Sequence, residues 1–134
     1  MRLVDDDRWG ELTLIQEAEG ESYRGKVMVA EVILRRTREK YFSDGTVAGT
    51  VLRDRQFSGW NHGANPVRIR VAKADTDDQP TQDCIRAWSE AKAGSNLVPN
   101  CRHYYNPRVC NPPWARDARV VAEEGNHRFV IPKE

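Results

Sequence analysis

At 134 residues, with 39% hydrophobic and 31% charged residues, the chain has the size and balance of one globular domain spanning 1–134, and disorder is excluded. Its 21 Lys and Arg against 20 Asp and Glu leave a formal net charge of +1, which gives no concentrated basic footprint for nucleic acid. No apolar run approaches the roughly 20 residues a membrane helix needs, so no membrane insertion is expected.

The first residues place Asp5, Asp6 and Asp7 where a secretory signal would carry its apolar segment. Three cysteines, Cys84, Cys101 and Cys110, are an odd number, which points to reduced thiols in a product made in the cytoplasm. A pairing of Cys101 with Cys110 stays open. A zinc site from Cys101, His103 and Cys110 lacks a fourth ligand and the short Cys-x-x-Cys knuckle, so no metal is expected. Nothing demands an organic cofactor.

The three aspartates cap a first helix in which Trp9, Leu12, Ile15 and Ala18 space as one buried stripe. Gly20 is placed to end it as a C-terminal glycine, which leaves Glu17 in the last turn. Ser22 caps a second helix, where Val27, Ala30, Ile33, Leu34 and Thr37 recur at helical spacing and Val29 and Val32 widen the apolar face. This reads as the central core helix, structural rather than chemical, with Arg35, Arg36, Arg38, Glu39 and Lys40 as a solvated end. Residues 42–45 read as a turn, and Thr46 caps a short helix through Val47, Val51 and Leu52.

Residues 55–60 suggest an aromatic-rich loop or short strand, and 61–80 a loop in which Val67, Ile69 and Val71 alternate as a strand would. A third long helix is expected from about Thr81 to Ala93, with Cys84, Ala87, Trp88 and Ala91 on one side and Gly94 after it. Pro99, Pro107, Pro112 and Pro113 then forbid long regular elements. His103-Tyr104-Tyr105 and His127–Ile131 read as short strands. Helices in front and extended pieces behind imply an α+β domain, mainly helical with a small β region.

The run Glu17-Ala18-Glu19-Gly20-Glu21, then Gly25 and Val27–Leu34, resembles the opening of the SleB-like cell-wall hydrolases. Later pieces recur in that family's order: Gln56-Phe57-Ser58 with Trp60, His103–Pro107, Pro113-Trp114-Ala115 and Gly125–Phe129. The resemblance covers residues 15 to 130 and rests on five ordered motifs. It implies a lysozyme-like fold with a small antiparallel β region. It also implies cleavage of the β-1,4 bond between N-acetylmuramic acid and N-acetylglucosamine in peptidoglycan, by a lytic transglycosylase. The family's catalytic glutamate falls on Glu17. Two departures stand out, Glu19 and Arg35, where the family commonly has other residues and asparagine respectively.

The chemistry suits one raised carboxyl. A glycosidic oxygen needs a proton as it leaves, and a glutamate supplies it near neutral pH only if its pKa is raised by apolar surroundings. The negative end of the helix pushes the same way. A hydrolase adds a second carboxylate; Glu21, Asp44 and Asp54 are weak candidates, which favours a transglycosylase over a hydrolytic muramidase. A non-catalytic wall-binding or virion module is the reading from another class. Trp60, Tyr104, Tyr105 and Asn106 are candidates for the glycan groove, as aromatic faces pack on sugar rings and amides pair with acetamido groups. Glu21 joins them as a candidate substrate contact, although a solvated surface role is the favoured reading for it. His103 is left between substrate and structure, His127 is read as structural, and Trp9, Trp88 and Trp114 as core. A monomer acting on glycan strands is expected, and a phage product released through a membrane pore would fit a chain that starts without a signal.

Overall fold

The protein is described from a computed structural model covering residues 5–53 and 78–133. Trp60, Asp54, the aromatic segment 55–60 and the alternating Val67, Ile69 and Val71 lie outside the described residues. No described helix is long and apolar enough to cross a membrane.

The first helix, α1 (Asp6–Ala18), starts where Asp5 Oδ1 accepts from the Asp7 amide at 2.8 Å. The next two aspartates reach further than a cap. Asp6 accepts from the amides of Val47 and Ala48 at 2.9 and 3.0 Å, and Asp7 accepts from Trp88 Nε1 at 3.0 Å and from Lys92 Nζ. One acidic turn therefore holds two other helices. Where α1 crosses the Trp88 ring it does so at Gly10; a Cβ there would run into the indole. The helix ends at Glu19 in ordinary helical geometry, and Gly20 does not take the positive φ expected of a C-terminal glycine.

Helix α2 (Tyr23–Arg38) starts at Ser22, whose Oγ accepts from the Gly25 amide at 3.0 Å. Every residue from Gly25 to Thr37 is buried, because α1, two later helices and a strand all pack on it. Burial of each Val, Ile or Leu here contributes about 1.5–3 kcal/mol, so α2 organises the core. The short α3 (Val47–Val51) is capped by Thr46, and α4 (Gln79–Lys92) by Asp78 with Pro80 in its first turn. Thr81, Cys84, Ala87, Trp88 and Ala91 form the buried side of α4, and Gly94 follows with φ +117°.

Strands β1 (His103–Tyr105), β2 (Arg119–Glu124) and β3 (His127–Ile131) form an antiparallel sheet in the order β1-β3-β2. The pairing sets Tyr104 opposite Phe129. The segment expected to be extended at 127–131 is thus the middle strand. Strand β2 was not anticipated, although Gly125-Asn126 between Glu124 and His127 is a two-residue hairpin connection with Gly125 at φ +57°.

Two further expectations are corrected, and the open pairing of Cys101 with Cys110 is resolved. Arg35 and Arg36 are 7% and 8% exposed rather than solvated. Trp114, expected in the core, is 40% exposed, while Trp88 is buried and Trp9 packs partly against the core. The three cysteines are free thiols, Cys101 buried and Cys110 exposed, so the two are not paired.

Candidate active site

Glu17 sits in the last turn of α1, near the negative end of that helix. Its side chain is half-buried, and Tyr104 Oη donates to its Oε1 at 2.7 Å. The Tyr104 ring is fixed in turn by His127 and Phe129, with ring centres 4.9 and 5.6 Å away. Burial raises the Glu17 pKa above the ordinary carboxylate value; the Tyr104 hydrogen bond and the Arg36 charge oppose the rise without cancelling it. Burial and the same carboxylate hold the Tyr104 hydroxyl firmly protonated, so it stays a donor.

Two locks fix the turn after Glu17. Ser22 Oγ donates to Glu124 Oε2 at 3.0 Å, and Glu21 takes both the amide and the side-chain Nδ2 of Asn126 at 2.9 Å each. Glu21 is therefore not solvated. It ties the α1–α2 turn to the β2–β3 turn, with His127 Nδ1 4.0 Å from its Oε1. A Cβ on Gly125 would strike that carboxylate.

On α2, Arg36 Nε donates to the Arg102 carbonyl at 2.7 Å, which brings its charge beside Glu17 and β1. One turn earlier, Glu31 is 2% exposed and accepts from Ser95 Oγ at 2.6 Å and from the amides of Leu97 and Val98 at 2.9 Å. Arg35 donates to the carbonyls of Val98 and Cys101 at 2.9 and 2.7 Å. This pair clamps the loop leading into β1, and so sets the height of Tyr104. The helix read as purely apolar carries the polar frame of the site.

A groove of about 380 Å³ opens beside this cluster, lined by Arg36, Tyr41, Phe42, His103, Tyr104 and Trp114. Past Tyr41 and His103 it leads on to a second hollow at Arg102 and Lys133. Of the described candidate groove residues, only Tyr104 lies in this wall; Trp60 is outside the described residues. Tyr105 Oη accepts from Arg128 at 3.2 Å, and its ring meets the edge of Trp114 with centres 5.7 Å apart. Asn106 closes its own turn, with Oδ1 accepting from the Arg108 amide at 2.9 Å. Sequence reasoning missed Arg36, Tyr41 and Trp114. Among the described residues, no group of three His, Cys, Asp and Glu is arranged to hold a metal ion.

Comparison with known proteins now decides the family. The family described as Cell Wall Hydrolase matches residues 20–130. The chain belongs to the cell wall hydrolase family. Within that family it is similar to the spore cortex-lytic enzyme of Oceanobacillus iheyensis, 30% identical over 113 residues, which are 84% of this chain and 37% of that protein. The spore cortex-lytic enzyme of Bacillus subtilis is 27% identical over 113 residues, 84% of this chain and 33% of that protein. The chain thus spans about a third of the length of these relatives.

Among solved structures, the catalytic domain of the germination-specific lytic transglycosylase SleB from Bacillus anthracis superposes with a TM-score of 0.72 at 25% identity, covering 96% of both chains. The catalytic domain of Bacillus cereus SleB gives 0.72 at 26% identity, covering 93% of this chain and 88% of that one. The fold is the lysozyme-like one of the SleB catalytic domain. Glu17 lies just ahead of the span matched to the cell wall hydrolases, so its place rests on its own surroundings and on the ordered motifs that follow it.

Proposed function

We propose that this cell wall hydrolase domain cleaves peptidoglycan glycan strands as a lytic transglycosylase, at the β-1,4 bond between N-acetylmuramic acid and N-acetylglucosamine, with Glu17 as acid and then base. The observation that carries the reading is a half-buried carboxyl with a raised pKa, hydrogen-bonded to a groove-lining tyrosine.

The protonated Glu17 gives its proton to the bridging oxygen as the bond to the muramic C1 breaks, and the N-acetylglucosamine leaves with a free hydroxyl. Positive charge on C1 and its ring oxygen is met by the carboxylate just formed. The muramic C6 hydroxyl then attacks C1, and Glu17 takes its proton. The products are a 1,6-anhydromuramic end and a regenerated acid. Tyr104 holds the carboxyl in one orientation through both steps, and the Arg36 charge helps the ionised form, which keeps the acid strong enough to give its proton up.

A hydrolytic muramidase is the second reading, and it needs a second carboxylate to activate water. None of the described residues lining the groove carries one, which favours the intramolecular route. Digestion of purified peptidoglycan followed by mass analysis tests the proposal. Fragments ending in anhydromuramic acid, one water lighter than hydrolysed ones, are expected. Glu17→Gln is expected to release fragments about 10²–10⁴-fold more slowly. Reducing ends would replace the proposal with a muramidase, and no fragments would leave only a binding module.

A further inference from the structure

The turn between α2 and α3 carries two features that cleavage does not use. Lys40 and Phe42 both sit at positive φ, 52° and 50°, a conformation that L side chains rarely hold without tertiary support. The turn presents Tyr41 and Phe42 to the groove, and Phe42 is left 49% exposed. The other exposed aromatic of the described wall is Trp114, held by His103 at 4.9 Å between ring centres.

The Tyr41 hydroxyl of the same wall is oriented. Its Oη lies 3.0 Å from His103 Nε2, while Arg36 Nη2 lies 3.5 Å from His103 Nδ1. A guanidinium only donates, so Nδ1 is the acceptor and the ring proton sits on Nε2. His103 therefore donates to Tyr41. Burial and the Arg36 and Arg102 charges hold the imidazole neutral, with a pKa of about 4, so this arrangement persists at neutral pH. Arg102 and Arg36 stack over the Tyr41 ring at 4.8 and 5.6 Å and fix its plane. Accepting from His103, the Tyr41 hydroxyl keeps its proton to donate.

We infer that Phe42 and Trp114 form a sugar subsite whose polar contact is the Tyr41 hydroxyl, aimed by the Arg36–His103 pair to donate to the carbonyl oxygen of an N-acetylhexosamine's acetamido group. Sugar hydroxyls both give and take hydrogen bonds, so a donated proton discriminates poorly among them. The acetamido carbonyl only accepts, and every sugar of the strand bears one. Aromatic faces supply the apolar contact for the ring, and a groove of about 380 Å³ is within the range of small-ligand sites. The inference rests on the proposed glycan substrate and adds which group on it is recognised.

The test uses Glu17→Gln protein titrated with a β-1,4-linked tetramer of N-acetylglucosamine, followed by tryptophan fluorescence and calorimetry. Saturable binding is expected. Adding Tyr41→Phe should weaken it roughly tenfold, and Trp114→Ala at least as much, with loss of most of the fluorescence change. The fully de-N-acetylated tetramer should bind weakly and gain nothing from Tyr41. Equal affinity of the Tyr41→Phe and Tyr41 proteins for the acetylated tetramer would overturn the inference, as would equal affinity for the two sugars. Trp114 is exposed, so its variant tests the subsite even where loss of the His103 partner perturbs folding. Fragment release by the wild-type chain, with no effect of Tyr41, would spare the catalytic reading and sink this one. Tyr41-dependent binding without fragments would do the reverse.

Discussion

Glu17 is a carboxyl placed where its charged form is least comfortable. Folding favours its neutral form because its pKa is raised in the native state. The stabilising contribution is therefore complete below the ordinary carboxylate value and is lost as pH rises through the raised one. Glu17→Gln should leave stability near that of wild type in acid and raise the melting temperature by roughly 2–4 °C at pH 7. Thermal melts at the two pH values check this, and a variant less stable at pH 7 would contradict it. Tyr104→Phe acts on the same group with a known sign. The lost hydrogen bond had held the pKa down, so the alkaline limb of the pH–rate profile should move to higher pH while kcat falls about tenfold or more. A limb that stays in place would separate Tyr104 from the proton transfer.

At the scale of elements, α2 is a buried helix with a polar interior edge. Glu31 accepts three hydrogen bonds from residues 95–98, and an amide in its place turns a donor toward donors. Glu31→Gln should cost about 1–3 kcal/mol in denaturant unfolding. A change under 0.5 kcal/mol would mean the loop is held elsewhere. This edge was not legible in the sequence. Caps located α2 and α3 because their causes are local, Ser22 and Thr46 each bonding an amide within three residues; periodicity alone placed α4, and began it at Thr81 rather than at Gln79 behind the Asp78 cap. Arg35 finds carbonyls 63 and 66 residues away, and nothing near it in the chain distinguishes that from a solvated tail. Strand β2 was different. Its Gly125-Asn126 turn was there to be read, and the exposed residues of β2 hid the alternation.

Across the whole molecule, the site is assembled from α1, α2 and β1, brought together by ties between segments far apart in sequence. Ser22 with Glu124, Glu21 with Asn126, and Arg36 with the Arg102 carbonyl are all such ties. That is why the reading of Glu17 came through ordered motifs and a family resemblance rather than from any one segment. It is also why Trp114, read as core from its apolar character, turned out to stand at the groove. The claim on which all else depends is that this assembly keeps one carboxyl protonated at higher pH than water would. Titration of the side-chain carboxyl carbons by NMR, with Glu17 assigned by its absence in Glu17→Gln, measures this directly. The account predicts a Glu17 midpoint above 4.5, moving higher in Tyr104→Phe; a midpoint at or below that value would contradict it.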